Sequence, residues 1–138
     1  MKITTSYQGQ LRFADGEGAG RVVMDAAAAG GGLGEALSPK QMVLQGLAGC
    51  TGLDVVSILG KKGVKFESFT IDVAAEQTNL HPKVFKEIVI TFRFTGDPAE
   101  REHYERAVEL SGTRFCGVSA MLGKTAAIRT VVEIEPAG

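Results

Sequence analysis

Residues 38–59 read SPKQMVLQGLAGCTGLDVVSIL, and this stretch decides how the rest of the chain can fold. Ser38 supplies an N-cap, Pro39 suits the first helical turn, and Gln41, three residues after Ser38, completes a capping box. The spacing predicts a helix to about Leu59 that stops near Gly60 or Gly63, with Lys61 and Lys62 at the end that suits its dipole. Apolar residues cover every side of it, the pattern of a helix buried at the centre of a fold. The apolar run from Met42 to Leu59 reaches the ~18 residues of a membrane span. It also holds Gln45, Asp54, Ser57 and three glycines. A charge in hydrocarbon is expensive, so a core helix is the better reading.

Working outward, Ile3, Tyr7, Leu11 and Phe13 alternate with polar residues, which is strand periodicity. Residues 15–20 carry turn chemistry and 21–25 make a second short strand, which predicts a hairpin. Residues 26–36 form a connector of small side chains with little packing of its own. On the other side, 64–76 alternates with one change of phase, which predicts a bulge near Glu67 and Ser68. Ile88, Ile90, Phe92 and Phe94 form one face of a further strand. Asp97-Pro98-Ala99-Glu100 opens a second capped helix with Tyr104, Ala107, Val108 and Ser111 on its inner stripe. Gly112 is expected to break that helix, Thr113 to cap a third one through Leu122, and 126–134 to close as a strand. The order ββ-α-ββ-α-α-β is an α+β architecture with antiparallel sheets.

The chain has 138 residues, 15 basic and 16 acidic side chains and two cysteines. That length fits a single domain. It divides into a hairpin and connector (1–36), a central helix (38–60), and a hairpin, two helices and final strand (64–138). A formal charge of −1 disfavours nucleic acid as a partner. Two cysteines are too few for a disulfide scaffold. The start MKITTSYQGQ lacks the apolar core of an export signal. A cytoplasmic protein with no membrane partner and with reduced thiols is expected.

Chemistry points to the cysteines. Cys50 and Cys116 each sit among small neighbours, which lets a partner or substrate approach a sulfur. Free cysteines also serve as small buried hydrophobes, and that reading stays open. Cys50 lies about three turns into its helix, beyond the reach of the helix N-terminus, and Asp54, one turn on, raises its thiol pKa. A reactive Cys50 needs a cation from elsewhere, and Arg12, Arg21 and Arg114 are the candidates. Cys116, placed just after the Thr113 cap, is the more acidic thiol on electrostatic grounds. His81 and His103 have no ligand spacing with the cysteines. The glycines at 16, 18 and 20 lack a dinucleotide-loop pattern and fit a hairpin tip.

The motifs SPKQMVLQGLAGCTGLDVVSIL (38–59) and ELSGTRFCGVSAMLGK (109–124) resemble those of the OsmC/Ohr family, named for osmotically inducible protein C and organic hydroperoxide resistance protein. The likeness extends over nearly the whole chain, and DVVSIL resembles a less characterised OsmC-like branch. It implies an OsmC-like fold assembled as an intertwined homodimer, with sites where the subunits meet. It implies an oxidative-stress peroxidase in which Cys50 attacks a hydroperoxide and Cys116 resolves the sulfenic acid to a disulfide. A thiol or dithiol reductant would reopen that bond. Leu47 and Met121 are expected to line the substrate pocket, and no metal, flavin or haem cofactor is implied. Better-known members carry a glutamate where this chain has Lys40, and Glu35 is the nearby carboxylate that could replace it. The Lys40 departure also supports an alternative, a non-catalytic dimer binding a small apolar ligand between subunits.

Overall fold

The structure is a computed structural model that describes residues 6–10, 12–14 and 21–138. Contacts divide the chain into two units, Met1–Gln45 and Gly46–Gly138. In the first unit, β1 (Ser6–Gly9), β2 (Arg12–Ala14) and β3 (Val23–Asp25) form an antiparallel sheet in that order. The strand anticipated across 3–13 is therefore two strands. Gly9 and Gln10 take φ of +88° and +47°, and glycine reaches that region without the Cβ penalty, so the chain reverses there. The anticipated turn at 15–20 lies outside the described residues.

The connector is better organised than its composition suggests. The Asp25 carboxylate, buried at the end of β3, accepts the backbone N–H groups of Leu33 at 3.2 Å and Glu35 at 3.1 Å. Gly31 and Gly34 turn at positive φ. The Asp25 N–H donates to the Leu37 carbonyl at 3.0 Å, pinning the segment's far end.

Helix α1 (Pro39–Lys62) begins as expected. The Ser38 N–H donates to Gln41 Oε1 at 2.8 Å, and the Gln41 N–H to Ser38 Oγ at 3.3 Å. It ends in a Schellman arrangement, with Gly63 at φ +71°, its N–H on the Gly60 carbonyl and the Val64 N–H on the Leu59 carbonyl. Burial on all sides does not hold. Only Leu47, Thr51, Val55 and Leu59 are buried, one i, i+4 stripe, while Leu53 is 76% exposed and Val56 is exposed too. Among the described residues, burial of the helix follows a single face.

In the second unit, β4 (Phe66–Gln77), β5 (Phe85–Gly96) and β6 (Ala127–Pro136) form a sheet in that order. β4 and β5 are antiparallel, with the anticipated register shift between Phe66 and Ser68. β6 runs parallel to β5, pairing Glu87 with Ala127 and Gly96 with Pro136. The α+β class stands, but the expectation of wholly antiparallel sheets is corrected at this strand. The 30 residues between β5 and β6, 97–126, form the long crossover that parallel pairing requires. Ile88, Ile90, Phe92 and Phe94 are almost fully buried, as their alternation predicts. Phe69 stacks on Phe94 with ring centroids 4.4 Å apart.

The crossover starts where Asp97 Oδ1 caps a short 3₁₀ turn through the Ala99 N–H, and continues as α2 (Arg101–Leu110). Tyr104, Ala107 and Val108 face the core. Gly112 does not break the helix. The chain widens into a π-helical turn over Ser111–Phe115, closed by the Cys116 N–H on the Ser111 carbonyl at 2.8 Å. Thr113 is not a cap either, since its hydroxyl donates back to the Glu109 carbonyl at 2.8 Å. Helix α3 (Gly117–Leu122) is capped by Cys116 itself, whose sulfur accepts the Ser119 N–H at 3.3 Å.

Tyr104 joins these layers, because its fully buried ring leans on Phe94 and its hydroxyl donates to the Lys65 carbonyl at 2.8 Å. Tyr104→Phe is expected to cost about 1–3 kcal/mol in urea unfolding by stranding that carbonyl. Tyr104→Ala is expected to cost about 3–5 kcal/mol.

Candidate functional site

The i, i+4 spacing of Cys50 and Asp54 sets both side chains on one face of α1. Cys116 arrives from the other side of the sequence, at the point where the π-helical turn gives way to α3. The extended backbone of Cys116, φ −74° and ψ +102°, turns its side chain back onto its own helix. The two sulfurs and an Asp54 carboxylate oxygen all lie within 4.8 Å of one another. Two thiols some 66 residues apart in sequence thus meet beside one carboxylate.

A line of hydroxyls holds that carboxylate. Ser111 Oγ, in the π-helical turn, donates to Asp54 Oδ2 at 2.9 Å. Its proton is then committed, so Thr51 Oγ1, 2.8 Å away, donates to it in turn. Thr51 and Ser111 are 2% and 0% exposed, so these bonds tie α1 to the π-helical turn away from water. Cys116 is buried and Cys50 half-buried, which leaves Cys50 as the sulfur that a solute reaches.

The Cys50 thiol is pushed above its ordinary value. The chief cause is its hydrogen bond with the Cys116 side chain, followed by burial. The Val118 backbone acts in the opposite direction, and the charges of Cys116 and Asp54 raise it further. The Asp54 effect is the one its position in the helix predicts. A nearby cation would act against these effects and favour the Cys50 thiolate.

Of the candidates for that cation, Arg114 is exposed on the π-helical turn, two residues before Cys116. Arg12 and Arg21 belong to the first unit, as does Glu35. Arg12 lies on β2 with its side chain outside the described residues, and Arg21 and Glu35 are exposed. Lys40 is exposed in the first turn of α1. A cavity of about 670 Å³ is lined by Thr51, Val108, Thr113, Ser119 and Ile128 among others, and it shares Thr51 and Ser119 with the surroundings of the thiol pair. Neither residue expected at a substrate pocket lines it. Leu47 is fully buried and Met121 is 68% exposed. Ser111 and Thr51 were not expected at the site; the available signal was a hydroxyl on the inner stripe of each helix. The histidines lie apart, with His103 near Glu100 at 3.5 Å and His81 exposed. Among the described residues, the ligand-type atoms that converge are those of Cys50, Asp54 and Cys116.

An α+β chain with a parallel-edged sheet, a long capped helix and a thiol pair contributed by two helices defines a thiol-pair protein. The family model described as "OsmC-like protein" matches residues 31–131, and the chain belongs to that family. Protein YhfA of Escherichia coli (strain K12) is 34% identical over 103 residues, spanning 75% of this chain and 77% of the relative. A hypothetical protein from Aquifex aeolicus VF5 superposes with a TM-score of 0.84 at 22% identity, covering 99% of this chain and 97% of the other. A Legionella pneumophila protein described as an organic hydroperoxide resistance protein OsmC superposes with a TM-score of 0.71 at 16% identity, covering 96% and 97%. At those identities the two structures speak for the fold.

Removing either cause of the raised thiol should lower it. In chelator-treated buffer, the pH profile of Cys50 alkylation is expected to move to lower pH in Asp54→Asn, and further in Cys116→Ala, where the leading cause is gone. A profile that stays in place in both variants would contradict this account of the site.

Proposed function

We propose that this protein reduces hydroperoxides with the Cys50–Cys116 pair, as part of defence against oxidative stress. The observation that carries the reading is the contact between the two sulfurs. A sulfenic acid formed on Cys50 would have its resolving thiol already beside it. The family and its organic hydroperoxide resistance members support the same chemistry. The Cys50 thiolate attacks the outer oxygen of R–O–OH, the O–O bond breaks, and the alkoxide takes a proton to leave as an alcohol. Cys50 is then the sulfenic acid. The Cys116 thiol displaces its hydroxyl as water and closes an intramolecular disulfide. A thiol or dithiol reductant restores both thiols by exchange. Half-exposed Cys50 suits the attacking role and buried Cys116 the resolving one. Arg114, Arg12 or Arg21 supplies the positive charge that the thiolate lacks.

The proposal includes a homodimer. Leu53 and Val56 are exposed on the uncovered face of α1. A Cβ at Gly46, Gly49 or Gly60 would meet nothing within 4 Å. Such a face allows a second backbone to come close while burying apolar area at roughly 25 cal/mol per Å². A specific observation favours the alternative of a non-catalytic ligand binder: the raised Cys50 thiol, together with a cavity of mixed polar and apolar lining that includes its neighbour Thr51. Counting thiols before and after one equivalent of cumene hydroperoxide separates the two. Rapid loss of both thiols supports the peroxidase, and loss at the rate of free cysteine supports the binder.

Cys50→Ser is expected to abolish peroxide consumption, and Cys116→Ser to leave a sulfenic acid that dimedone traps, read by mass spectrometry. Normal turnover by the Cys50→Ser protein would overturn the reading. Separately, Leu53→Glu is expected to halve the mass measured by light scattering in solution. An unchanged mass would place any dimer contact on another surface.

A further inference from the structure

We infer that the reduced protein carries a metal site for a thiophilic divalent cation of the zinc type, formed by Cys50 Sγ, Asp54 and Cys116 Sγ. The geometry is the first ground. Three atoms no more than 4.8 Å apart all lie within about 2.8 Å of a common centre, that span divided by the square root of three. Zinc takes thiolate sulfur at about 2.3 Å and carboxylate oxygen at about 2.0–2.2 Å. Side-chain shifts of about half an ångström therefore complete the coordination, with no movement of α1 or of the π-helical turn.

The second ground is how the ligands are presented. Cys50 and Asp54 stand one helical turn apart, the spacing by which helices commonly offer two ligands to one metal. The third ligand comes from a separate element, so the three converge from two directions. Each of two ligands is also oriented from behind. Ser111 donates to Asp54 Oδ2, with Thr51 behind it, and the Ser119 N–H donates to Cys116 Sγ. Outer hydrogen bonds of this kind fix ligand orientation at metal sites. Three protein ligands leave the fourth tetrahedral position to water, reached on the half-exposed Cys50 side.

On binding, both thiols give their protons to solvent and become thiolate ligands. The metal-bound and disulfide forms exclude one another, because a disulfide sulfur has no thiolate to offer. The site does not depend on turnover of peroxide, so a metal-binding protein that consumed none would still bear out this inference.

The test is titration of the reduced 138-residue chain with cobalt(II), then with zinc(II) against a chromogenic chelator, in chelator-cleaned buffer. A thiolate-to-cobalt absorption band is expected, saturating at one equivalent per chain, displaced by zinc and absent from the disulfide form. Ser111→Ala is expected to weaken affinity about 10–100-fold, and Asp54→Asn and Cys116→Ser by at least as much. Circular dichroism confirms that each variant is folded, and Ser111→Ala serves if Asp54→Asn is not. No thiolate band at one equivalent overturns the site. Affinity unchanged in Asp54→Asn, or in Ser111→Ala where Asp54→Asn fails to fold, overturns it as well.

Discussion

The contact between Cys50 and Cys116 depends on a fixed separation between two helical elements, and buried hydroxyls set that separation. Thr51 on α1 donates to Ser111, which donates to Asp54, so the line starts and ends on α1 and passes through the π-helical turn. With Thr51 and Ser111 shielded from water, breaking the line strands a polar group at a cost of about 1–3 kcal/mol. The helix comes close to the sheet at Gly52. A Cβ on Gly52 would come within 2.9 Å of Ile71 Cδ1, so the absence of a side chain lets α1 settle against β4. The same sheet holds α2 through Phe94 and Tyr104, and α2 delivers Ser111. Both cysteine-bearing segments thus touch the same sheet, directly at Gly52 and through α2, although they come from distant parts of the chain.

The π-helical turn gives the second sulfur its aim. An α-helix running through Ser111–Phe115 would keep Cys116 in helical register. The wider turn adds a residue to the loop, and the Cys116 N–H reaches back to the Ser111 carbonyl. The helix then ends, Cys116 becomes extended, and its sulfur swings toward the Ser119 N–H. Ser111 serves both parts of the site, its carbonyl closing the turn and its hydroxyl holding Asp54. π-Helical turns are often found at functional sites, and here the geometric reason is visible.

What the sequence made legible follows from how local each signal is. Capping of α1 by Ser38 and Gln41, the apolar face from Ile88 to Phe94 and the bulge at Phe66 and Ser68 all depend on near neighbours. The direction of β6 could not be read, because strand alternation is the same in a parallel and an antiparallel partner. Gly112 suggested a break, and the tie from Thr113 to the Glu109 carbonyl, which carries the helix past it, is a choice between two hydrogen-bond partners that composition does not settle. Gly9 and Gln10 divided an apparent strand through backbone dihedrals that alternation does not record. At the site, the cysteines and the unfavourable Asp54 charge were legible, whereas Ser111 and Thr51 join them only through the packing of two helices. The exposed side of α1 misled for the opposite reason. An apolar pattern shows that a face wants cover, not whether the same chain provides it.

Charge then determines what the assembled site can do. Two thiols and a carboxylate converge where burial and mutual hydrogen bonding hold the Cys50 proton in place. Positive charge nearby would favour losing that proton, and two kinds are proposed. A guanidinium brought alongside leaves the sulfur free to attack an oxygen. A divalent cation at the proposed site would take the same electron pairs and hold both sulfurs as ligands, leaving nothing to attack. Because the two compensate the same negative charge in the same few ångströms, they compete. Asp54 tips that competition. It raises the cost of a bare thiolate and would become favourable beside a metal, so the residue that would slow the proposed peroxide chemistry is the one that would complete the proposed ligand set.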